Sequence, residues 1–441
     1  MSEPILQVEG LTKYFPVKVP TLQRLAMAKP PVVHAVDGIS IAINRGEIFG
    51  LVGESGCGKT TVGRTVVRLL RPTSGRILFD GIDITNLPTL EEHFVRDFLS
   101  RHFRGRRRQT GNPKRDSELL WSLRRRMQII FQDPHASLNP AMTIGDSIMD
   151  PLLIHGVATP AEARETAMMI MTEVGLTPPE VLFTKYPAEL SGGQQQRAVI
   201  ARAMILRPSL IVADEPVAML DMSVRARILE LMLDLKQRYG LTYLFITHDL
   251  ATAKLLCDRI AIMYLGKIVE LGDAPAIYAS PKHPYAQALL NAVPIPDPDR
   301  RRTKVLPRGE VPDALRPPGG CRFHPRCPVA RADCGWDAAD FVDFLERRRL
   351  EPGLAEKDQA RLGPISRIRT EGPLVRVPAP QGREAEMREY LRGLVAGDPG
   401  PMASAVSSVE AANGKVHVVF RPAEEVDFRD IEGRKVACVL Y

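Results

Sequence analysis

The sequence predicts an α/β fold in which helices cover both faces of a parallel sheet. One observation is the apolar strand Ile48–Val52, which runs into a glycine-rich loop and then into a helix over Thr60–Leu70. A second is an alternation further along the chain. It consists of the strands Leu210–Ala213 and Leu241–Thr247 and the helices Val224–Tyr239 and Ala251–Cys257. Strands separated by helices are typical of a parallel sheet that is buried on both sides.

Shorter strands precede this core. The apolar runs Ile5–Val8, Ile39–Ile43 and Ile77–Phe79 are separated by turn signals such as Asp80-Gly81, which predicts strands joined by turns. Between the two parts of the core, Thr143–Gly175 has few strand signals and is expected to be helical.

Composition indicates an ordinary globular chain. Of 441 residues, 44% are hydrophobic and 25% are charged, and the formal net charge is +7. The length suggests two or more domains. The apolar runs are much shorter than the roughly 18 residues of a membrane-spanning helix, and the start Met1-Ser2-Glu3-Pro4 lacks the pattern of a signal peptide. We therefore expect a cytoplasmic chain that does not itself cross the membrane.

Basic residues are clustered in Arg101–Arg126 and in Arg347–Arg349. The first cluster belongs to a stretch of different character at about residues 88–120, in which His93–Phe103 predicts an amphipathic helix and Arg104–Arg115 an exposed insertion. Either cluster has the charge to touch acidic headgroups, but a solvated surface is the commoner reason for a run of charge. The mild net charge does not by itself indicate nucleic acid.

A phosphate-binding loop follows the strand Ile48–Val52. The segment Gly53-Glu54-Ser55-Gly56-Cys57-Gly58-Lys59-Thr60 fits the pattern G-x-x-x-x-G-K-[ST]. Its glycines let backbone N–H groups approach phosphate, and the helix that follows favours negative charge at its start. We expect Lys59 to pair with the β- and γ-phosphates of ATP, Thr60 to ligate Mg²⁺, and Thr61 to bind the nucleotide beside it. The alternative, a merely glycine-rich surface turn, does not explain the strand and helix on either side.

Two carboxylates end a later strand. Asp214 and Glu215 follow the apolar run Leu210–Ala213. Asp214 suits the Mg²⁺ shell, and Glu215 suits a base that positions or deprotonates an attacking water. Acidic residues at the end of a buried strand are also ordinary caps, so this motif alone leaves both interpretations open.

The segment Leu190–Gln194 places small residues ahead of a predicted helix, Gln195–Leu206. Ser191, Gly193 and Gln194 would leave backbone N–H groups open at the helix start, which suits a phosphate. The alternative is a serine N-cap beside a flexible hinge. Two phosphate-binding elements in one chain suggest that two chains share each ATP.

The order of these motifs resembles the ATPase domain of ABC transporters. The ordered segments are Gly53–Thr60, Phe131–Pro134, Leu190–Gln194, Asp214–Pro216, Leu220-Asp221 and Thr247–Asp249. The resemblance covers residues 1–280. It implies a P-loop NTPase fold with an antiparallel β subdomain, a RecA-like parallel-sheet core and an α-helical subdomain at about residues 141–195, with the basic insertion at about 88–120. Residues 281–441 would form a C-terminal extension that bears a group of cysteines.

The resemblance implies catalytic roles for three residues. Gln132 would sense Mg²⁺ and the attacking water and would couple the site to membrane subunits. Glu215 would be the catalytic base, and His248 would be the switch histidine that contacts the γ-phosphate. An isolated histidine is more often a satisfied structural residue, but its place at the end of a strand favours the switch role.

Other residues would bind the nucleotide or the second subunit. Asp221 would lie at the dimer seam, and Ser191 and Gly193 would contact the γ-phosphate of ATP bound to the opposite subunit. Phe15, or alternatively its neighbour Tyr14, would stack on adenine.

A narrower resemblance is to the ATPases of dipeptide, oligopeptide and nickel importers. It rests on the segments Phe131–Pro140, Lys282-His283-Pro284-Tyr285-Ala286, Arg308–Pro312 and Pro317–Cys321. Such importers use two paired ATPase subunits, and the residues Arg64-Thr65 resemble those of the F-type subunit. It implies an ATP-hydrolysing motor subunit that drives the uptake of di- or oligopeptides, with nickel and oligosaccharides left open.

That family also implies partners. They would be a second ABC ATPase in a heterodimer, with a homodimer as the alternative, two transmembrane permease subunits and an extracytoplasmic substrate-binding protein. The chain would then lie at the cytoplasmic face of the cell membrane, held there by the permease subunits.

Two other functions share part of this pattern. Soluble ABC proteins that act on ribosomes usually carry two ATPase domains, and those of DNA repair carry a long coiled coil. This sequence has one P-loop and no sustained heptads, so we expect no nucleic-acid partner. Exporter ATPases are often fused to membrane spans, and the importer motifs argue against that class.

Four of the 6 cysteines belong together. Cys321, Cys327 and Cys334 are close in sequence, and Cys438 lies near the C-terminus. In a reducing compartment such a group favours metal or cluster binding over disulfides. The region resembles that of importer ATPases in which four such thiolates hold a [4Fe–4S] cluster, and this implies that Cys438 folds back beside Cys321. Zinc binding and metal-free thiols remain alternatives, because the spacing is not the C-x₂-C common to either metal.

The rest of the tail is harder to interpret. The stretch between Cys334 and Cys438 is much longer than in the importer family. Ala379–Ser408 is low in aromatic residues and rich in glycine, proline and alanine, and Val416–Phe420 predicts a strand.

Overall fold

The structure, a computed structural model, describes residues 3–17, 31–88, 113–292, 307, 309–351, 353–397 and 400–441. The chain divides into two compact units, Met1–Ala279 and Ser280–Tyr441. The predicted helix His93–Phe103 and most of the predicted insertion at residues 88–120 lie outside the described residues.

The first unit begins with strands and continues with alternating strands and helices. Its strands are β1 (Pro4–Pro16), β2 (Val32–Asn44), β3 (Ile48–Val52), β4 (Ser74–Phe79), β5 (Ile82–Asp83), β6 (Met127–Ile130), β7 (Leu210–Asp214), β8 (Thr242–Thr247), β9 (Arg259–Tyr264) and β10 (Lys267–Asp273). Its helices are α1 (Lys59–Val66), α2 (Pro113–Arg126), α3 (Pro134–Ser137), α4 (Ile144–Ile154), α5 (Pro160–Glu173), α6 (Pro179–Phe183), α7 (Gly192–Met204), α8 (Met222–Tyr239), α9 (Leu250–Leu256) and α10 (Ala274–Ala279).

An antiparallel sheet with the strand order β2-β1-β4-β5 forms one layer of this unit. Leu6 on β1 lies opposite Ile43 on β2 and Phe79 on β4. All three side chains are fully buried, so this face of the sheet packs on the core. Along Gly38–Ile43 of β2, exposed and buried residues alternate, as expected for an antiparallel sheet with one face on the core.

The second sheet of the first unit has the order β10-β9-β3-β8-β7-β6. Strands β3, β8, β7 and β6 run parallel to one another, as do β3 and β9. Every residue of β3, β7 and β8 is buried, which explains why these segments are continuous apolar runs rather than alternating patterns. The predicted α/β class with parallel and antiparallel sheets is confirmed, and the parallel order puts the ends of β3, β7 and β8 at one edge.

Two helices differ from their predicted limits for local reasons. Helix α1 ends at Val66, before the predicted Leu70, because Arg68 adopts a left-handed backbone with φ 60° that a helix cannot continue. Helix α7 begins at Gly192 rather than at Gln195, because Ser191 caps it and thereby recruits the small residues into its first turn.

The second unit contains helices α11 (Pro284–Ala292), α12 (Ala338–Arg348), α13 (Leu354–Leu362), α14 (Glu384–Gly397) and α15 (Pro401–Ala405). Its strands are β11 (Arg369–Glu371), β12 (Leu374–Pro378), β13 (Val406–Ala412), β14 (Lys415–Phe420), β15 (Arg429–Ile431) and β16 (Arg434–Val436). Strands β11 to β14 form an antiparallel sheet in the order β11-β12-β14-β13. The predicted strand Val416–Phe420 is thus present within β14, whereas neither of the two helices within Ala379–Ser408 was predicted from the sequence.

A separate apolar core holds this part of the tail together. Phe341 of α12, Leu391 of α14 and Val375, Val418 and Phe420 of the sheet are all buried in one cluster. The long tail between Cys334 and Cys438 is therefore a folded element. Within the residues that the structure describes, we find no helix that is both long enough and apolar enough to cross a membrane.

Candidate functional site: a phosphate loop and a carboxylate edge

The phosphate loop lies between β3 and α1, and two of its glycines are closely surrounded by backbone. Gly58 has φ 107°, and a Cβ atom there would lie 2.0 Å from the carbonyl oxygen of Ala35. A Cβ at Gly53 would lie 2.1 Å from the carbonyl oxygen of Met263. Side chains are sterically excluded at both positions. The loop is therefore held in a tight turn ahead of the first N–H groups of α1, an arrangement that suits a phosphate.

Lys59 is buried within this loop. Its Nζ atom donates hydrogen bonds to the carbonyl oxygens of Gly53 at 2.8 Å and Glu54 at 2.9 Å. A buried ammonium group needs such acceptors, because burying a charge without partners is costly. The same group is placed to exchange these carbonyls for phosphate oxygens when a nucleotide enters.

Thr60 and Asp214 meet across the edge of the parallel sheet. The Thr60 hydroxyl donates a 2.8 Å hydrogen bond to Oδ1 of Asp214, although the two residues lie 154 positions apart. Burial raises the pKa of Asp214 above its usual value, and the hydrogen bond from Thr60 offsets part of this rise. A hydroxyl and a carboxylate are oxygen ligands of the kind that Mg²⁺ prefers, so these two residues fit the predicted magnesium position.

Glu215 is the meeting point of three chain segments. Nδ1 of His248 lies 2.9 Å from its Oε2 atom, and Nε2 of Gln132 donates to the same oxygen at 3.4 Å. The backbone of Glu215 is left-handed, with φ 50°, and its N–H donates to the carbonyl of Ile246 at 2.9 Å. A non-glycine residue in this conformation is uncommon. Strand β7 ends at Asp214, just before this residue, and the Glu215 carboxylate contacts both Gln132 and His248.

The loop at Ser191 is a capped helix start. The Ser191 hydroxyl accepts from the N–H of Gln194 at 3.3 Å, and Oε1 of Gln194 accepts from the N–H of Ser191 at 3.0 Å. A Cβ at Gly193 would lie 2.7 Å from Cγ1 of Val224 in α8, so the loop packs directly on the helix that Asp221 caps. In the described residues, no hydrogen bond from Ser191, Gly193 or Gln194 reaches the phosphate loop of the same chain.

The aromatic residues near the N-terminus divide into two environments. The Tyr14 hydroxyl donates to Asp37, and its ring lies 4.3 Å from that of His34 between centroids. The Phe15 ring instead has Nζ of Lys13 4.9 Å from its centroid and is only half buried. Because Tyr14 is already engaged through both its hydroxyl and its ring, Phe15 is the better candidate for stacking on a base.

One ion pair near the site was not found by the sequence analysis. Arg225 in α8 lies 3.5 Å from Oδ2 of Asp249, and it also donates to the carbonyl of Leu220 at 3.4 Å. Asp249 in turn caps α9 by accepting from the N–H of Ala251 at 2.9 Å. Arg225 therefore links the segment before Asp221 to the segment after His248. No local sequence signal marks the ion pair, because Arg225 and Asp249 lie 24 positions apart.

The four clustered cysteines lie around one cavity in the second unit. Cys321, Cys327, Cys334 and Cys438 all line it, and its volume is about 10 Å³, which is roughly enough for one water molecule. Cys438 thus lines the same cavity as the three cysteines that are close together in sequence. Burial, together with the charges of the three neighbouring thiols, raises the pKa of Cys321 to about 12.

Four thiols around one cavity are the donor set that an iron–sulfur cluster or zinc requires. The sulfur positions are not those of a formed metal site, since no three His, Cys, Asp or Glu residues are placed to hold a metal ion in the part of the chain that the structure describes. The chemistry of the four donors fits a metal group, whereas their positions would have to change to bind one.

His283 lines the same cavity as the four cysteines. The residue is 1% exposed, and burial lowers the pKa of its imidazole to about 3. His283 is part of Lys282-His283-Pro284-Tyr285-Ala286, a segment that supports the family resemblance but has no predicted role of its own.

Two family models match the chain. Residues 36–218 match the model described as ABC transporter, and residues 269–334 match the model described as oligopeptide/dipeptide transporter, C-terminal region. The first match contains the phosphate loop and the Asp214–Glu215 edge, and the second contains His283 and three of the clustered cysteines.

Curated relatives extend the similarity beyond these models. A Brucella ovis protein named for peptide import and ATP binding is 46% identical over 350 residues, which is 79% of this chain and 96% of that protein. The oligopeptide transport ATP-binding protein AppF of Bacillus subtilis is 42% identical over 344 residues, 78% of this chain and 94% of its own. Among solved structures, cbiO1 from Clostridium perfringens aligns with a TM-score of 0.48 at 26% identity, over 63% of this chain and 92% of that one.

Proposed function

The chain belongs to the family of ABC transporter ATP-binding proteins, and from that premise we propose that it is the ATP-hydrolysing motor subunit of a peptide importer. The observation that carries the proposal is the convergence of Gln132 and His248 on one oxygen of Glu215, next to the Thr60–Asp214 pair. The peptide assignment is supported by the names of the relatives and by the match at residues 269–334.

The arrangement suits hydrolysis of a terminal phosphate. Mg²⁺, held by Thr60 and Asp214 with Gln132 nearby, would supply charge neutralisation at the β- and γ-phosphates. Lys59 would release its loop carbonyls and pair with the same phosphates, while residues 53–61 of the loop surround them with N–H groups. Glu215 accepts a proton from the attacking water or orients it, and His248 holds the carboxylate of Glu215 in place and contacts the γ-phosphate.

The site in one chain is incomplete, which supports the proposal that two chains share each ATP. Ser191, Gly193 and Gln194 present a helix start that does not bond to the phosphate loop of their own chain, within the described residues. Beside Asp221, Met219 is 64% exposed and Met222 is 85% exposed. Large exposed apolar side chains next to a capped turn are suited to a partner surface. We propose that this surface meets a second ATPase subunit, in a heterodimer.

We further propose that the dimer is held at the cytoplasmic face of the cell membrane by two permease subunits, with an extracytoplasmic protein delivering the peptide. The relatives' names support the importer direction.

The test of the motor function is the variant Glu215→Gln in the assembled transporter. It keeps the size and most of the hydrogen bonds of the side chain but removes the base, so ATP binding persists while turnover falls by about 10²- to 10⁴-fold, the usual contribution of a general base. Glu410→Gln, at an exposed position on β13, is the matched control and leaves turnover unchanged. Full turnover by Glu215→Gln would remove Glu215 from this role.

We propose that Cys321, Cys327, Cys334 and Cys438 hold a [4Fe–4S] cluster, with zinc as the less favoured occupant. The support is their convergence on one cavity and the softness of four thiolates. The cluster is assigned no step in ATP hydrolysis. When bound, it would cross-link the C-terminal end of the chain to the loop at residues 321–334.

Iron and acid-labile sulfide are the direct measurements. Protein purified without oxygen is expected to contain about four irons and four sulfides per chain and to be brown, and Cys334→Ser is expected to lose both. One zinc per chain with no colour would replace the cluster proposal with a zinc site. If the protein binds ATP normally but contains no metal, the cluster proposal is wrong and the four cysteines are free thiols.

A further inference from the structure

The structure places the imidazole of His283 against one sulfur of the four-cysteine site. Its Nε2 atom lies 3.9 Å from Sγ of Cys321, within the reach of a hydrogen bond to the large sulfur atom. The ring is almost completely buried, so the contact is shielded from water and its electrostatic effect is correspondingly strong.

The protonation of the ring follows from its other nitrogen. Nδ1 of His283 accepts the backbone N–H of Tyr285 at 3.0 Å. A neutral imidazole carries its proton on one nitrogen only, so accepting at Nδ1 leaves the proton on Nε2. The atom that faces Cys321 is therefore a donor rather than a ligand.

Packing fixes the ring in this orientation. The next residue, Pro284, begins helix α11 with a restricted backbone. Tyr285 lies with its ring centroid 5.2 Å from that of Phe323, and the His283 centroid is 6.0 Å from the same ring. Phe323 is two residues beyond Cys321, so the histidine segment and the cysteine loop form one packed unit.

The loop on the cysteine side is equally constrained. The N–H of Cys321 donates to the carbonyl of Cys334 at 2.9 Å. Gly320 has φ 55°, and a Cβ there would lie 2.6 Å from that same carbonyl. The backbone that carries the Cys321 side chain is therefore held in place beside residue 334.

We propose that His283 is a positioning residue of the cysteine site, donating its Nε2–H to the Cys321 sulfur and stabilising negative charge there. The effect of this hydrogen bond on a cluster rests on the proposed [4Fe–4S] occupancy. The hydrogen bond from His283 to Cys321 does not depend on it. It also gives a physical role to the His-Pro-Tyr segment: histidine donates, proline fixes the backbone, and tyrosine supplies both the N–H that sets the tautomer and the ring that packs on Phe323.

A neighbouring thiol provides an internal contrast. The sulfur of Cys334 accepts from the backbone N–H of Arg331 at 3.2 Å, a donor that no side-chain substitution removes. Changing His283 is therefore expected to affect Cys321 selectively.

The first experiment uses the cluster-bound protein and measures its reduction potential. Donors to cluster sulfurs stabilise the reduced, more negative state. His283→Leu, which removes the donor at similar volume, is expected to shift the potential to a more negative value, whereas His283→Gln, which retains an N–H of similar reach, stays close to the unsubstituted protein. Equal potentials for His283→Leu and the unsubstituted protein would overturn the proposal.

The second experiment does not need the cluster. In metal-free protein with ¹⁵N-labelled histidine, the His283 signals are expected to show a proton on Nε2, and Cys321→Ala is expected to move the Nε2 resonance much more than Nδ1. A proton on Nδ1, or no response to Cys321→Ala, would overturn the assignment. A protein that contains no iron but gives the expected ¹⁵N result would refute the cluster and keep the donor.

Discussion

Two glycines of the phosphate loop have left-handed or near left-handed backbones but differ in their surroundings. Gly56 has φ 80°, and a Cβ atom there meets nothing within 4 Å, whereas a Cβ at Gly58 would lie 2.0 Å from the carbonyl of Ala35. The first position requires only an unusual backbone angle. The second also requires the absence of a side chain.

We therefore expect Gly56→Ala to lower the free energy of unfolding by about 1–2 kcal/mol, the usual cost of a left-handed backbone. Gly58→Ala is expected to cost more and to weaken ATP binding, because the loop must move away from Ala35. Urea unfolding and calorimetric ATP titration measure the two effects. Equal losses in the two variants, with unchanged ATP affinity, would contradict the steric explanation.

A second residue-scale prediction concerns the pH dependence of stability at Asp80. Its carboxylate accepts from Arg126 and from Arg45, and the bond from Arg126 is the main cause of its lowered pKa in the folded protein. A carboxyl whose folded pKa lies below its unfolded value, about 3.9, stabilises the fold above that value. The contribution is lost as the pH falls through the folded pKa.

Asp80→Asn tests this contribution. Asn tolerates the left-handed backbone of this position, φ 52°, so the substitution mainly removes charge. The variant is expected to be less stable by about 0.5–1 kcal/mol at neutral pH, a size typical of partly exposed pairs, and the difference is expected to vanish in acid. Urea unfolding at a series of pH values measures it, and high salt should shrink it as well. A difference that is the same at every pH would show that charge is not its source.

At the scale of single elements, two helices share one capping device but differ in their proposed role. Ser191 caps α7 with Gln194 as its reciprocal partner, and Thr159 caps α5 with Glu162 in the same way. Both side-chain oxygens satisfy N–H groups that have no acceptor within the helix. Only the first helix start is proposed to meet the phosphate of a partner chain.

Ser191→Ala and Thr159→Ala are therefore expected to cost a similar amount of stability, about 1 kcal/mol each. In the assembled transporter, only Ser191→Ala should lower kcat/KM for ATP, by about 10- to 100-fold if one hydrogen bond to a charged phosphate is lost. Thermal unfolding and steady-state ATPase assays separate the two effects. Equal ATPase activity in both variants would make Ser191 a cap and nothing more.

At the scale of the whole molecule, the second unit has its own apolar core. Phe341 is fully buried among the helices and the antiparallel sheet of residues 336–420, while Leu350 just after the same helix is 84% exposed. Phe341 and Leu350 are thus apolar residues of the second unit that differ strongly in burial.

Phe341→Ala is expected to destabilise the second unit by about 3–5 kcal/mol, the usual cost of removing a buried aromatic side chain, and to open residues 336–420 to proteolysis. Leu350→Ala should change stability by less than about 0.5 kcal/mol. ATP binding at the phosphate loop, measured by titration, should be unaffected by either change. A loss of ATP affinity in Phe341→Ala would show that the phosphate site depends on this core.

Much of the first unit and of its site could be predicted from the sequence, because the information is local. The turn at Gly53–Thr60 is set by glycines within eight positions, and the apolar run before Asp214 sets a buried strand by itself. The roles of Gln132 and His248 came from the resemblance to a family and not from their neighbours. The folded tail was missed because its apolar positions are spread among glycines, prolines and charges, so that no short window carries a clear period.

The sequence by itself determined most strands of the first unit, the phosphate loop and the residue types that ATP chemistry needs, since these depend on neighbours a few positions apart. The tertiary structure alone decided that Gln132 and His248 meet on one oxygen of Glu215, that Arg225 bridges to Asp249, and that the four cysteines share a cavity with His283. Those contacts join segments separated by tens to hundreds of residues. Their distances depend on how the sheets and helices pack, which no short stretch of sequence specifies.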